Sequence, residues 1–254
     1  MKRVLFGVLI FLCWHSWSYA EIPIQFFLEG AFHLASIDGT VQQSKADILG
    51  TENDLNGTFG FEKVNGFVGK AGMLIARTHE IVVDYQRYHL AEDTTLATSI
   101  RFEGMTIPAT LPISPSLTFQ TLGFFYGLRV IDLESGFLSL RPGVELVDYE
   151  VGLDANLFGV QLASLSDSKN YVVPFILIAG EYKLHPLLSF AGEFSGGWRD
   201  NQTTYFARPM VKLNLYPHIS ALFGYSRVWF KDDSNNNLFK VALSGLMFGI
   251  RGEW

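Results

Sequence analysis

Cysteine is almost missing from this chain. Its single copy, Cys13, lies within the first twenty of 254 residues. Everything after it must fold without a disulfide, the usual support of small exported domains. Charge is scarce as well. Asp, Glu, Lys and Arg make up 17% of the residues, whereas 48% are hydrophobic and 15% aromatic. An ordinary soluble domain carries about 25% charged residues. Yet no apolar run beyond residue 20 reaches the roughly 18 residues expected of a membrane-spanning helix, which excludes a helical span. No phosphate-binding glycine loop, no Cys or His zinc set and no calcium-loop spacing appears, so no cofactor and no metal site is expected.

The chain opens with MKRVLFGVLIFLCWHSWSYA. Lys2 and Arg3 precede an apolar run from Val4 to Trp14, and Ser18 and Ala20 occupy the −3 and −1 positions of a cleavage site. This is the pattern of a cleaved secretory signal peptide over residues 1–20. Leu12, which precedes Cys13, is not the small residue of a lipoprotein attachment site. The mature segment 21–254 then holds 17 basic and 25 acidic residues, a net charge of −8. That balance argues against nucleic acid as a partner.

What the mature segment does contain is alternation. IQFFLEGAFHLA (24–35) sets Ile24, Phe26, Leu28, Phe32 and Leu34 against Gln25, Glu29 and His33. The same period of two recurs over 67–77, 81–90, 117–130, 136–151, 171–183, 187–198, 204–216, 219–230 and 238–254. Strict alternation is the signature of a strand with one apolar face. The connections alternate too. RTHE (77–80), 130–136, 183–187 and 215–219 are short, while 37–64, 91–116, 152–170, 199–203 and 231–237 are read as longer loops. The stretch 91–116 reads as a hairpin with its tip at Glu103–Met105, standing above a bilayer. Together these features predict an all-β fold, an up-and-down antiparallel transmembrane β-barrel of about ten strands, formed by residues 21–254 as one domain.

Charge placement fixes which face is which. Glu29, Lys70, Asp84, Arg129, Arg141 and Glu145 fall opposite the apolar residues of their strands, as do Glu181, Glu193, Arg208, Lys212 and Arg251. A Lys or Arg facing mid-bilayer lipid costs roughly 2–4 kcal/mol. These eleven residues are therefore expected to face the lumen and to pair there. Arg141 and Glu145 share one face, about 13 Å apart by strand rise. They are expected to form salt bridges with neighbouring strands.

The chain stops on LSGLMFGIRGEW. Leu246, Phe248, Ile250 and Trp254 share one face, and Met247, Gly249, Arg251 and Glu253 the other. An open sheet edge in lipid leaves backbone groups unsatisfied. The last strand is therefore expected to pair with the first, with Trp254 at the periplasmic interface.

The signal peptide, the alternating strands and this aromatic-ended last strand resemble the small outer-membrane β-barrel proteins of Gram-negative bacteria, over the whole mature chain. The resemblance implies a monomer in the outer membrane, in contact with its lipid and lipopolysaccharide. It also implies the barrel-assembly machinery as a partner during biogenesis, reading the terminal strand.

Two constellations invite chemistry. His218 and Ser220 form a His-x-Ser pair that superficially resembles that of barrel-type lipid A deacylases, but His218 falls in a short, periplasmic turn, away from the outer leaflet. Asp232 and Asp233 in KDDSNNN (231–237), with His89 or His33 nearby, invite comparison with omptin-type aspartyl proteases, whose motifs they do not match residue by residue. No catalytic residue is assigned. The expected role is a structural barrel or a narrow small-solute pore with surface-exposed loops. An adhesin or ligand-binding barrel ranks second and an outer-membrane hydrolase third. A soluble calycin-like barrel would instead bury its apolar face and turn its charges to water.

Overall fold

A computed structural model describes residues 23–254 except 46, 158–159 and 235. The signal-peptide reading of residues 1–20 lies outside the described residues. Ten strands make the barrel: β1 (Ile24–Gln42), β2 (Lys63–Ile75), β3 (His79–Ala91), β4 (Pro112–Leu133), β5 (Gly136–Leu157), β6 (Val160–His185), β7 (Leu188–Arg199), β8 (Gln202–Tyr216), β9 (Ile219–Ser234) and β10 (Asn237–Glu253). Each pairs antiparallel with its sequence neighbours, and β10 pairs with β1 to close the ring. There is no helix among the described residues.

The closing ladder is long. Phe27 to Gln42 run in register against Glu253 to Leu238. The ladder then continues into the last residue. Phe26 N–H donates to Trp254 O at 2.8 Å, and Trp254 N–H donates to Phe26 O at 3.0 Å. Both main-chain groups of Trp254 are thus paired within the barrel wall.

The seam is tight at Gly39, Gly245 and Gly249, and most so at Gly245. A Cβ on Gly245 would press on the carbonyl of Leu34 and the Cα of Ala35, backbone atoms that cannot move aside. A Cβ on Gly30, on the other strand of the same seam, would meet nothing within 4 Å. Gly245→Val is therefore expected to lower stability by about 1–3 kcal/mol through overpacking, with Gly30→Ala close to neutral. Urea titration of the detergent-refolded barrel measures both.

The outer wall is an apolar belt. Leu246, Phe248 and Ile250 face outward, as do Leu34, Phe194 and Phe223 on other strands. Tyr182, Tyr216 and Trp254 mark one edge, at the end that carries Pro23 and Trp254; Trp198, Tyr205 and Trp229 mark the other. Tyr205 and Tyr216 lie eleven residues apart on β8. That is about 36 Å along the strand and about 25–30 Å of height at the usual barrel tilt, the thickness of an apolar band. The wall is apolar on the outside and charged within, which is the membrane arrangement and not the calycin-like one.

Three of the stretches read as long loops turn out to be strand. β5 and β6 run through 152–157 and 160–170, and their outward positions there include Glu150, Asp154, Ser164, Ser166 and Ser168. Above the belt an outward side chain meets water, so the apolar alternation vanishes although the ladder continues. For the same reason 199–203 and 231–237 are tall strand ends joined by tight turns, with Asp200 and Asn236 at positive φ.

The two remaining long connections are folded too. Residues 100–102 and 105–107 pair as a hairpin with its tip at Glu103–Gly104, both at positive φ. The hairpin does not stand free. Thr51 N–H donates to Arg101 O at 2.9 Å, and Glu103 N–H donates to Gln43 O at 3.0 Å. The two connections so joined lie as a cap over the open end of the barrel.

Candidate functional site

Charged side chains from many strands converge in the lumen. All eleven residues assigned to the lumen by sequence are buried or part-buried. Glu193 on β7 is the hub. Lys70 Nζ lies 2.6 Å from its carboxylate, Arg208 Nη1 3.2 Å and Arg141 Nη1 3.5 Å. Lys70 is also 3.8 Å from Asp84 and 3.9 Å from Glu29, and Arg208 reaches Asp84 at 3.4 Å. Toward the end that carries Pro23 and Trp254, Lys212 bridges Glu181 at 3.3 Å and Glu253 at 2.9 Å. Arg251 lies 2.7 Å from Glu253 and 3.7 Å from Glu29.

Arg141 and Glu145 part company. Arg141 Nε donates to Glu80 at 2.6 Å, whereas Glu145 forms no ion pair among the described residues and its Oε2 has no hydrogen-bond partner. Glu80 is the member that sequence reading missed. It holds Arg129 at 2.9 Å, Arg141 at 2.6 Å and the Ser139 hydroxyl at 2.6 Å. The segment 77–80 reads as a turn in sequence, but β3 begins at His79. Stepping back by twos from Asp84 through Val82 reaches Glu80, and that extension of the alternation is the signal that identifies it.

A second, apolar layer lies in the lumen nearer the cap. Tyr149 stacks on Phe239 with centroids 4.1 Å apart and planes at 12°. Phe230 packs against both, and Phe119 joins it to Tyr88. Phe125, Phe175 and Phe206 continue the layer around the wall. The cap sits on this layer through Leu55, Phe59, Phe61, Leu96, Ile100, Phe102 and Ile107, all in the same buried cluster. Glu103 at the hairpin tip is outside the bilayer. Burial and the nearby Asp167 push its carboxyl above the ordinary range, against the opposing pull of Lys45.

The two constellations considered for catalysis are arranged otherwise. His218 Nδ1 lies 2.8 Å from the backbone carbonyl of Glu253, and Ser220 Oγ donates to Asn214 Oδ1 at 2.9 Å, so each is bonded away from the other. Asp232 turns inward and accepts from the phenols of Tyr149 and Tyr171, both at 2.7 Å, and from Gln202 and Ser234. Asp233 pairs outward with Lys231 at 2.9 Å. His33 is bonded to the Tyr88 hydroxyl at 2.8 Å and His89 to that of Thr118 at 3.0 Å. None of these histidines meets a carboxylate among the described residues.

No family model and no curated protein matches the chain. Solved structures do. The chain is similar to the outer membrane protease OmpT from Escherichia coli, at 10% identity and a TM-score of 0.58, covering 90% of this chain and 97% of that one. It is also similar to the translocator domain of the autotransporter NalP from Neisseria meningitidis, at 11% identity and a TM-score of 0.47, over 99% and 95% of the two chains. The attachment invasion locus protein Ail of Yersinia pestis matches at 10% identity and a TM-score of 0.40, over 89% and 98%. At such identities the OmpT match speaks for fold. That fold and the apolar belt together place the chain in the outer membrane.

Proposed function

We propose that this chain is a plugged, structural outer-membrane barrel that displays a folded extracellular cap, with at most a narrow passage for small solutes and no enzymatic role. One observation carries the reading: two unlike layers fill the lumen in series. The ion-pair layer spans the periplasmic half from Lys212 and Glu253 up to Arg208 and Asp84. The aromatic layer and the cap occupy the extracellular half. A solute that threads one still meets the other.

The bonding of His218, Ser220 and Asp232 supports the non-enzymatic part, since each has its hydrogen-bonding capacity directed at a structural partner. The test is electrical. The unmodified protein in planar lipid bilayers is expected to show a quiet baseline with, at most, small and rare openings. A large, steady conductance would overturn the proposal.

A further inference from the structure

Cations inside and outside this barrel are treated differently. In the lumen, each of Lys70, Arg129, Arg141, Arg208, Lys212 and Arg251 has a carboxylate within 4 Å. On the outer wall, Arg227 and Lys240 have no hydrogen-bond or ion-pair partner among the described residues. They lie on the paired strands β9 and β10 at the rim of the belt, Arg227 one outward step below Trp229 and Lys240 one step above it, beside Lys231. On β9 the inward positions 226, 228, 230 and 232 are buried, so 227, 229 and 231 point away from the lumen. Below them Phe223 and Tyr225 belong to the apolar wall.

Lys231 and Lys240 are direct cross-strand partners. Like charges in that position repel and destabilise the pair. Asp233 sits 2.9 Å from Lys231, whereas Lys240 has no ion-pair partner among the described residues. Asp38 on the adjacent β1 and Asp54 beyond it also lie on this flank; neither forms an ion pair among the described residues, and Asp54 accepts instead from the Gly57 N–H. Between Arg227 and Lys231 on the same face lies Trp229, stacked on Tyr205 at 5.0 Å with planes at 18°. The flank therefore offers two cationic positions, about 13 Å apart by strand rise, with a flat aromatic surface between them.

We propose that Arg227, Trp229, Lys231 and Lys240, with Tyr205, form a site on the lipid-facing wall for a phosphorylated glycolipid of the outer leaflet. Each part has a matching group. The planar guanidinium of Arg227 suits a phosphate, which it can grip with two parallel hydrogen bonds. A phosphate at the lysine pair replaces repulsion by attraction. The Trp229–Tyr205 surface, at the depth where amphipathic rings settle in a membrane, packs against the apolar face of a sugar ring. A phospholipid headgroup supplies a phosphate but no ring for this surface. The opposite flank lacks the set: at the same level it carries Gln120, Asp148 and Asn170. Arg87 on β3 also has no partner among the described residues, but its cross-strand neighbours are Phe67 and Gln120, so no second cation is paired beside it.

The experiment uses delipidated full-length protein in detergent, titrated by native mass spectrometry with three lipids: lipid A bearing two phosphates, the same lipid dephosphorylated, and phosphatidylglycerol. The bisphosphorylated lipid is expected to bind at least ten-fold more tightly than the other two. Arg227→Gln with Lys240→Gln should erase that preference, Trp229→Ala should weaken lipid A binding several-fold without changing phosphatidylglycerol, and Arg87→Gln should match the unmodified protein. Folding of each variant is verified by the different gel mobility of boiled and unboiled samples. Equal binding of all three lipids, or undiminished preference in a folded Arg227→Gln/Lys240→Gln variant, would overturn the proposal. Preference for lipid A unaffected by its phosphates would overturn it as well. The three-lipid comparison on the unmodified protein stands even if the double variant does not fold.

Discussion

Arg208→Met is expected to destabilise the barrel by about 3–5 kcal/mol, the usual cost of leaving a buried charge without its partner. Arg208 is wholly buried and binds both Asp84 and Glu193. Methionine fills much of its volume but carries no charge. Glu193 retains Lys70 and Arg141, so it is partly protected. Asp84 is not: its other cation, Lys70, is 3.8 Å away and committed to Glu193. The loss should therefore fall mainly on Asp84. Adding Asp84→Asn to Arg208→Met should recover part of the stability, and the double-mutant cycle isolates that coupling. Glu150→Ala, outward and above the belt, should shift stability by no more than about 0.5 kcal/mol. Urea unfolding in detergent micelles reads the unmodified barrel, both single variants and the double variant of the cycle, and Glu150→Ala. Equal stability of Arg208→Met and the unmodified barrel would show that lumen water, and not protein, solvates these charges.

That network was legible in sequence because lipid sets a large energy difference between the two faces of a strand. A charge such as Arg208 or Glu193, flanked by apolar neighbours at i±1, has one tolerable direction. The argument weakens where lipid is absent. Asp232 reads as part of a solvated loop because the strand there has left the bilayer, yet its side chain turns inward to Tyr149 and Tyr171. Arg141 and Glu145 show a second limit. Alternation gives the face of a side chain but not which strand supplies its partner, and Arg141 reaches Glu80 over Gly127 of the intervening strand β4, 61 residues away in sequence.

The aromatic layer was hidden for a different reason. Phe119, Phe125, Phe175 and Phe230 point inward, whereas Phe124, Phe190, Phe194 and Phe223 point to lipid. Composition cannot separate the two, since a ring is as acceptable against lipid as inside a dry plug. In 171–183 both faces are apolar, and its facing is ambiguous on pattern alone. The cap was hidden because it depends on contacts such as Thr51 with Arg101, far apart in sequence and without any periodic signal.

The second large effect follows from the two layers lying in series. Truncating one layer should leave the other closed, so single-layer variants are expected to conduct little more than the unmodified protein. Arg141→Ala opens space only in the ion-pair layer, where it also frees Glu80 and Glu193 to rearrange. Phe230→Ala with Phe239→Ala removes two rings from the stack around Tyr149, but leaves Lys70, Arg208 and Glu193 in place below. Combining the three substitutions removes material from both layers at once. Discrete openings well above the single-layer variants are expected in planar bilayers, because conductances in series are limited by the narrower element. The residual lumen would be lined by more carboxylates than cations, so those openings should favour cations, and a reversal-potential measurement under a salt gradient reads the preference. Openings that appear in full with Arg141→Ala alone would mean that the aromatic layer and cap already admit ions, and the resistance would then reside in the charge network by itself.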